Sequence, residues 1–122
     1  MVTHGHWDHI RALRELESLT GAITYAGSAD TEAIRTQENF TIENELNGGE
    51  VFDFYDTELQ VRAISVPGHT PGSIVYSVQT TWEDGSPATL LFTGDALFPG
   101  GVGKTDSSAQ FGELFSNVLE KL

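Results

Sequence analysis

The sequence predicts a layered α/β fold, and two observations support that prediction. Stretches with helical periodicity alternate along the chain with stretches whose composition is typical of strands. Turn signals rich in glycine and proline separate them, as at residues 83–87 and 100–106. Helices are expected at residues 10–19, 28–36 and 111–122, and strands at residues 1–3, 22–26, 51–54, 59–66, 73–78 and 89–93.

The first and last helices are predicted by their apolar faces. In the first, apolar residues recur every three positions, Asp8 stands where an N-cap residue belongs, and Thr20-Gly21 stops the helix. The last helix is amphipathic, and we expect its apolar face in the core or, in a shortened chain, exposed and able to drive association. The first face consists of Ile10, Leu13, Leu16 and Leu19, and the last of Phe111, Leu114, Phe115, Val118, Leu119 and Leu122.

The elements in the middle of the chain are predicted from shorter patterns. Leu59, Val61 and Ala63 alternate with polar neighbours, which is typical of a half-buried strand. The weaker helical pattern at residues 28–36 leads into a polar stretch that runs through Gly48-Gly49, where a loop is expected.

Size and charge limit the classes of function. The chain has 122 residues, and we expect one domain spanning residues 1–122. Six basic residues against 18 acidic ones give a formal charge of -12, which argues against nucleic-acid binding. No segment is long and apolar enough to span a membrane, and the absence of cysteine fits a cytoplasmic location.

Three of the four histidines lie in the run HGHWDH at residues 4–9. His4 and His6 are two positions apart, so an extended backbone places both side chains on one side, where both can bind one ion. Asp8 and His9 are adjacent at a helix start, diverge from each other, and are better placed for a second ion. Imidazole and carboxylate groups in this density favour zinc or a similar metal.

Two further candidate ligands come from distant turns. His69 lies in a tight turn between two Pro/Gly pairs, and Asp95 follows Gly94 at the end of an apolar run. Each residue also has an ordinary interpretation, since histidine is common in turns and Gly-Asp at a strand end is often an Asx turn. Asp8 is likewise compatible with a simple N-cap.

Taken together, these motifs resemble those of a known family. Residues 3–9 are similar to the H-x-H-x-D-H signature of the metallo-β-lactamase-fold hydrolases. Residues 66–73 look like the next histidine motif of that superfamily, and residues 92–95 look like its aspartate motif. Residues 97–106 resemble the following loop of the glyoxalase II-like, or hydroxyacylglutathione hydrolase-like, branch.

The resemblance implies an αββα sandwich with a binuclear zinc site at one edge of a sheet. It implies a metal-bound hydroxide that attacks a carbonyl carbon, with Asp8 as the catalytic residue that orients it and relays a proton. One or two zinc ions are expected, and iron or manganese would also suit these ligands. The implied ligands are His4, His6 and His69 for the first metal, Asp8 and His9 for the second, and Asp95 as the bridge.

Two departures from the family pattern change these expectations. The family has strands before its first motif, which here begins at residue 4, and a further histidine after the aspartate, whereas none follows His69. We therefore expect an incomplete fold, from an internal fragment of a domain or from a truncated reading frame, in which the first site forms with Asp95 and the second is weak or empty. Open sheet edges in such a fold favour a homo-oligomer.

Four functions are compatible with these motifs. The first is a metal-dependent hydrolase acting on a small-molecule thioester such as hydroxyacyl-glutathione, a preference that comes from the branch resemblance alone. Lactone or β-lactam hydrolysis belongs to the same class. A catalytically inactive, truncated metal-binding remnant and a di-iron redox or oxygen-sensing domain are the other two.

Overall fold

Two β-sheets form the centre of the molecule in a computed structural model that describes residues 1–53, 57 and 59–122. The smaller sheet is a parallel pair, β1 (Tyr25–Gly27) and β2 (Asn44–Leu46). The larger sheet is antiparallel, and its strands follow the chain order from one edge to the other. Its strands are β3 (Val51–Asp53), β4 (Gln60–Ser65), β5 (Ile74–Thr81) and β6 (Pro87–Phe92), and a short hairpin of β7 (Leu97–Phe98) and β8 (Gly101–Val102) follows.

Helices cover the outer faces of the two sheets. Next to the smaller sheet, a buried cluster joins Ile10 and Ile34 to Ala26 of β1. Next to the larger sheet, Leu114 packs against Val75 of β5 and is fully buried. The helices are α1 (Trp7–Ile10), α2 (Leu13–Thr20), α3 (Thr31–Glu38) and α4 (Ser108–Lys121).

A third buried cluster fills the space between the sheets. Leu46 of β2 meets Val61, Ala63 and Tyr76 of the larger sheet, and Tyr25 packs against the same group. The layers therefore run helix, sheet, sheet, helix, which confirms the expected αββα architecture.

The N-terminal segment differs from its prediction. Residues 1–3 form no strand, although the Val2 N–H donates to the Tyr25 carbonyl (2.8 Å) and the Thr3 carbonyl accepts from the Ile74 N–H (2.8 Å). Because one bond goes to each sheet, the segment connects the two sheets and does not extend either ladder. This geometry places His4 directly after the junction.

The first predicted helix is divided in two. Arg11 and Ala12 separate α1 from α2, and α1 begins at Trp7 with no side-chain cap, so the prediction that Asp8 is the N-cap is wrong. Of the expected apolar face, Ile10 is buried, whereas Leu16 and Leu19 are exposed. The predicted end at Gly21 is confirmed, since its φ of 63° is left-handed and its N–H donates to the Glu17 carbonyl.

Smaller differences concern segment ends. A 3₁₀ turn, Ser28–Asp30, precedes α3, so the helix expected from residue 28 begins at Thr31. The predicted loop before Gly48-Gly49 contains β2, and the predicted loop at residues 100–106 contains β8. Phe54, the expected last residue of the strand at 51–54, lies outside the described residues.

Helix α4 matches its predicted position, and most of its apolar face is exposed, which is the alternative expected for a shortened chain. Ser107 caps it, because the Ser107 hydroxyl accepts from the Gln110 N–H (3.2 Å). Only Leu114 of the predicted face is fully buried, while Phe111, Phe115 and Leu119 are exposed. Among the residues that the structure describes, no helix has the length and apolar character needed to cross a membrane.

Candidate metal centre

Five of the six candidate side chains converge from four segments of the chain. His4 and His6 lie in the extended segment before α1, and His9 lies within α1. His69 comes from the turn between β4 and β5, and Asp95 from a 3₁₀ turn, Gly94–Ala96, that follows β6. These segments meet at one corner, which we call the histidine corner and define as His4, His6, His9, His69 and Asp95.

The first group of potential ligands contains three imidazoles. One nitrogen from each of His4, His6 and His69 lies within 4.8 Å of the others. The closest pair is His69 Nε2 and His6 Nδ1, at 2.9 Å. The other nitrogen of His69, Nδ1, lies 2.7 Å from the Lys104 carbonyl oxygen. When Nδ1 donates to that carbonyl, Nε2 keeps its lone pair and points at the centre of the group.

His4 fits a metal ligand better than a core histidine. Its side chain is 1% exposed, yet its Nε2 has no hydrogen-bond partner among residues 1–53, 57 and 59–122. Burial, followed by the positive potential of His9, His69 and His6, lowers the pKa of His4 to about 4. The ring is therefore neutral at pH 7, as a ligand must be. An unpaired buried nitrogen costs free energy, and a metal ion bound to Nε2 would remove that cost.

A second group shares one member with the first. One ligand atom from each of His4, His9 and Asp95 lies within 4.8 Å of the others. The Asp95 carboxylate faces both groups, because Oδ1 is 3.1 Å from His9 Nε2 and Oδ2 is 3.6 Å from His69 Nε2. This placement is compatible with a carboxylate between two ions.

Asp8 is the candidate that the structure keeps apart from both groups. Its side chain is 66% exposed, and its Oδ2 is 3.8 Å from His9 Nε2. Successive residues of a helix point in different directions, so when His9 faces the corner Asp8 faces solvent. Asp8 therefore lies at the rim of the histidine corner.

Two glycines allow the turns to reach the corner. Gly94 has a left-handed φ of 50°, and a Cβ there would lie 2.6 Å from the Thr3 hydroxyl oxygen. A Cβ on Gly103 would lie 1.8 Å from the Asp95 carbonyl oxygen. Gly94 and Gly103 therefore each permit a close approach that a side chain would block.

Sequence reasoning missed one buried residue beside the corner. Asp30 is 3% exposed, and its carboxylate accepts hydrogen bonds from Gly5, Thr70 and Gly72. These partners are 25 to 42 positions away, so no local spacing connects them with Asp30. The position was assigned only to a helix start, and no short motif marks it.

The fold and the histidine corner together define a class of protein: an αββα sandwich with a candidate metal site of histidine and aspartate. A model of the metallo-beta-lactamase superfamily matches residues 1–120, and the chain belongs to that superfamily.

Relatives and solved structures agree with this assignment. A hydroxyacylglutathione hydrolase-like protein of Gallus gallus is 33% identical over 124 residues, covering 100% of this chain and 39% of its own length. The hydroxyacylglutathione hydrolase of Thermosynechococcus vestitus is 39% identical over 103 residues, covering 84% of this chain and 35% of its own length. The chain thus spans less than two fifths of either relative.

The same fold is present in a solved structure. The class B3 di-zinc metallo-beta-lactamase LRA-12 from an Alaskan soil metagenome superposes with a TM-score of 0.76 at 17% identity. The match covers 98% of this chain and 52% of that one. The described part of the fold therefore corresponds to about half of a metallo-β-lactamase sandwich, which agrees with the expected incomplete fold.

Proposed function

We propose that this chain supplies the metal centre of a zinc-dependent hydrolase whose substrates are carbonyl compounds, with thioesters such as hydroxyacyl-glutathione preferred. The observation that carries the proposal is the group of His4, His6 and His69, in which a buried His4 nitrogen has no hydrogen-bond partner within the described part of the chain. The thioester preference is supported by the two relatives named hydroxyacylglutathione hydrolase or hydrolase-like. The β-lactamase likeness at 17% identity supports the fold alone.

The residues divide into two roles in this proposal. His4, His6 and His69 would hold the metal, and Asp95 would add a carboxylate oxygen from the side of His9. A bound metal of this kind supplies an activated water at neutral pH and polarises a substrate oxygen. Asp8 is exposed at the rim, where its carboxylate can accept a proton and pass it to solvent.

The shared histidine favours one ion over two. Because His4 belongs to both groups, a metal that binds its Nε2 leaves two of the three described members of the second group, His9 and Asp95, for another ion. Two ligands are fewer than the three protein ligands of a typical catalytic zinc site. We therefore propose that the first site fills and that the second is weak or empty.

Zinc titration by calorimetry tests the occupancy. We expect one tight equivalent per chain, because only one group retains three ligands. Elemental analysis of protein purified without added metal checks the identity of the ion, and iron or manganese in stoichiometric amount would contradict zinc. Two tight equivalents of equal affinity would contradict the single-site proposal.

Turnover is measured separately with a panel of thioesters, lactones and nitrocefin. We expect the zinc-loaded chain to hydrolyse thioesters fastest, and His6→Ala to abolish that activity by removing a ligand. Equal rates across the three substrate classes would contradict the thioester preference. Tight zinc binding without hydrolysis of any compound would favour a metal-binding domain that is not an enzyme by itself.

A further inference from the structure

A buried carboxylate beside the histidine corner joins the two loops that carry the first group of ligands. Asp30 ends the 3₁₀ turn before α3, and its side chain leaves that turn to contact two other segments. Its Oδ2 accepts from the Gly5 N–H (2.8 Å) and the Thr70 hydroxyl (2.7 Å). Its Oδ1 accepts from the Gly72 N–H (2.7 Å).

The partners of Asp30 flank the ligands on both loops. Gly5 stands between His4 and His6, and Thr70 directly follows His69. From α3, the Gln37 side-chain amide donates to the Gly5 carbonyl (2.9 Å). The peptide group before Gly5 is thus held by Asp30 and the one after it by Gln37, which fixes the orientation of the backbone between two ligands.

Close packing leaves the turn of His69 little freedom to move away from Asp30. A Cβ on Gly72 would lie 2.5 Å from the Asp30 backbone nitrogen and 2.7 Å from its Cγ. A Cβ on Gly27 would lie 1.9 Å from the Gly72 carbonyl oxygen. Both positions require glycine for this approach, so the turn that carries His69 packs directly against the backbone of the segment that carries Asp30.

We propose that Asp30 is a positioning residue of the metal centre, which sets the separation of the His4–His6 segment from the His69 turn before a metal binds. This inference rests on the proposed metal centre. All three partners donate to Asp30, so both of its side-chain oxygens must act as acceptors. Outer partners of this kind orient ligands, and their loss typically weakens metal binding about 10- to 100-fold.

Asp30→Asn tests the proposal with little change in shape. An amide has one oxygen, so in either orientation its NH₂ faces a backbone N–H, of Gly5 or of Gly72, and that donor loses its acceptor. We expect zinc affinity, measured by competition with a chromophoric chelator, to fall about 10- to 100-fold. We also expect the visible absorption bands of the cobalt(II)-loaded protein to shift, because the ligand geometry changes.

Glu43→Gln is the matched control. The Glu43 carboxylate accepts from the Thr24 N–H (2.8 Å) and likewise joins two segments, but Glu43 belongs to neither ligand group. Both Thr24 bonds, from its N–H and its hydroxyl, go to one oxygen of the exposed Glu43, so the glutamine oxygen can accept them, and we expect wild-type stability, zinc affinity and cobalt spectrum in this variant. A purely structural role for Asp30 predicts lower thermal stability for Asp30→Asn with unchanged zinc affinity and cobalt spectrum, and that result would overturn the proposal.

Thr70 provides a second test if Asp30→Asn does not fold. Thr70→Val removes the hydroxyl that donates to Asp30 with almost no change in volume, whereas Thr70→Ser keeps it. We expect weaker zinc binding in Thr70→Val and wild-type binding in Thr70→Ser. Wild-type zinc affinity in both variants would overturn the inference while leaving the proposed metal centre intact. Failure of the unsubstituted chain to bind zinc would instead remove the proposed function, and the inference with it.

Discussion

The histidine corner buries polar side chains, whereas an open groove on the larger sheet exposes apolar ones. In the corner, His4 is 1% exposed and Asp30 beneath it is 3% exposed. In the groove, which has a volume of about 590 Å³, Phe92 is 56% and Leu90 is 41% exposed. We call this second region the apolar groove, and its walls include Leu59, Val61, Tyr76, Val78, Leu90 and Phe92.

The two regions are held by different kinds of contact. The corner is held by directed contacts, including the three hydrogen bonds of Asp30 and the close glycine contacts of Gly72 and Gly94. Leu90 and Phe92 lie on β6, an edge strand, and stay exposed, so they gain little from burial. Val61 and Tyr76 at the base of the groove belong instead to the buried cluster between the sheets. Perturbing one region should therefore leave the other largely unchanged.

The largest effect on zinc binding is expected from His4→Ala, which breaks the corner. His4 belongs to both ligand groups, so its removal leaves neither group with three ligands. At a zinc concentration of about 100 Kd, binding should stabilise the wild-type chain by roughly 2.7 kcal/mol. We expect that gain to disappear in His4→Ala, as measured by urea unfolding with and without zinc.

His9→Ala is the control for this variant. It removes a ligand of the second group only, so the chain should keep most of the stabilisation by zinc. If His4→Ala retained the full gain, or if His9→Ala lost it, the first group would not be the principal site.

The largest effect on the metal-free fold is expected from Leu114→Ala on α4. Leu114 is fully buried against Val66, Val75 and Ala96, so its truncation should cost about 2–5 kcal/mol of unfolding free energy. Leu119→Ala, an identical change on the same helix at a residue 69% exposed, should cost less than about 0.5 kcal/mol. Urea unfolding of the metal-free chains measures both, and similar losses would contradict the burial difference.

The layered fold was predictable because helical and strand-like segments alternate, but burial along those segments was not. Periodicity correctly located α4, yet it could not tell that Leu114 alone would be fully buried while Leu119 stays exposed. Strand β2 was missed because Asn44–Leu46 is short and polar, and it exists through pairing with β1. Tertiary contacts decide both outcomes, and a local window contains no information about them.

The convergence of the candidate ligands was predictable only in part. The two-residue spacing placed His4 and His6 on one side, and both lie in one ligand group of the structure. The same reasoning placed both Asp8 and His9 beside a second ion, whereas of the two only His9 lies in a ligand group of the described residues, because the start of α1 at Trp7 leaves Asp8 at the rim. Asp30 carried no signal, since its partners lie 25 to 42 positions away.

The smallest effect is expected at Tyr76, which connects the two regions. Its ring lines the apolar groove and its hydroxyl donates to the Val2 carbonyl (2.7 Å), two residues before His4. Tyr76→Phe should cost about 1 kcal/mol at pH 7 through the lost hydrogen bond.

Burial raises the pKa of Tyr76 well above its usual value of 10.0, so above pH 10 the unfolded chain loses this proton and the folded chain keeps it. Wild-type stability should therefore fall more steeply than that of Tyr76→Phe as the pH rises above 10. Urea unfolding between pH 7 and 11 measures both slopes, and parallel curves would show that the hydroxyl is not shielded from solvent.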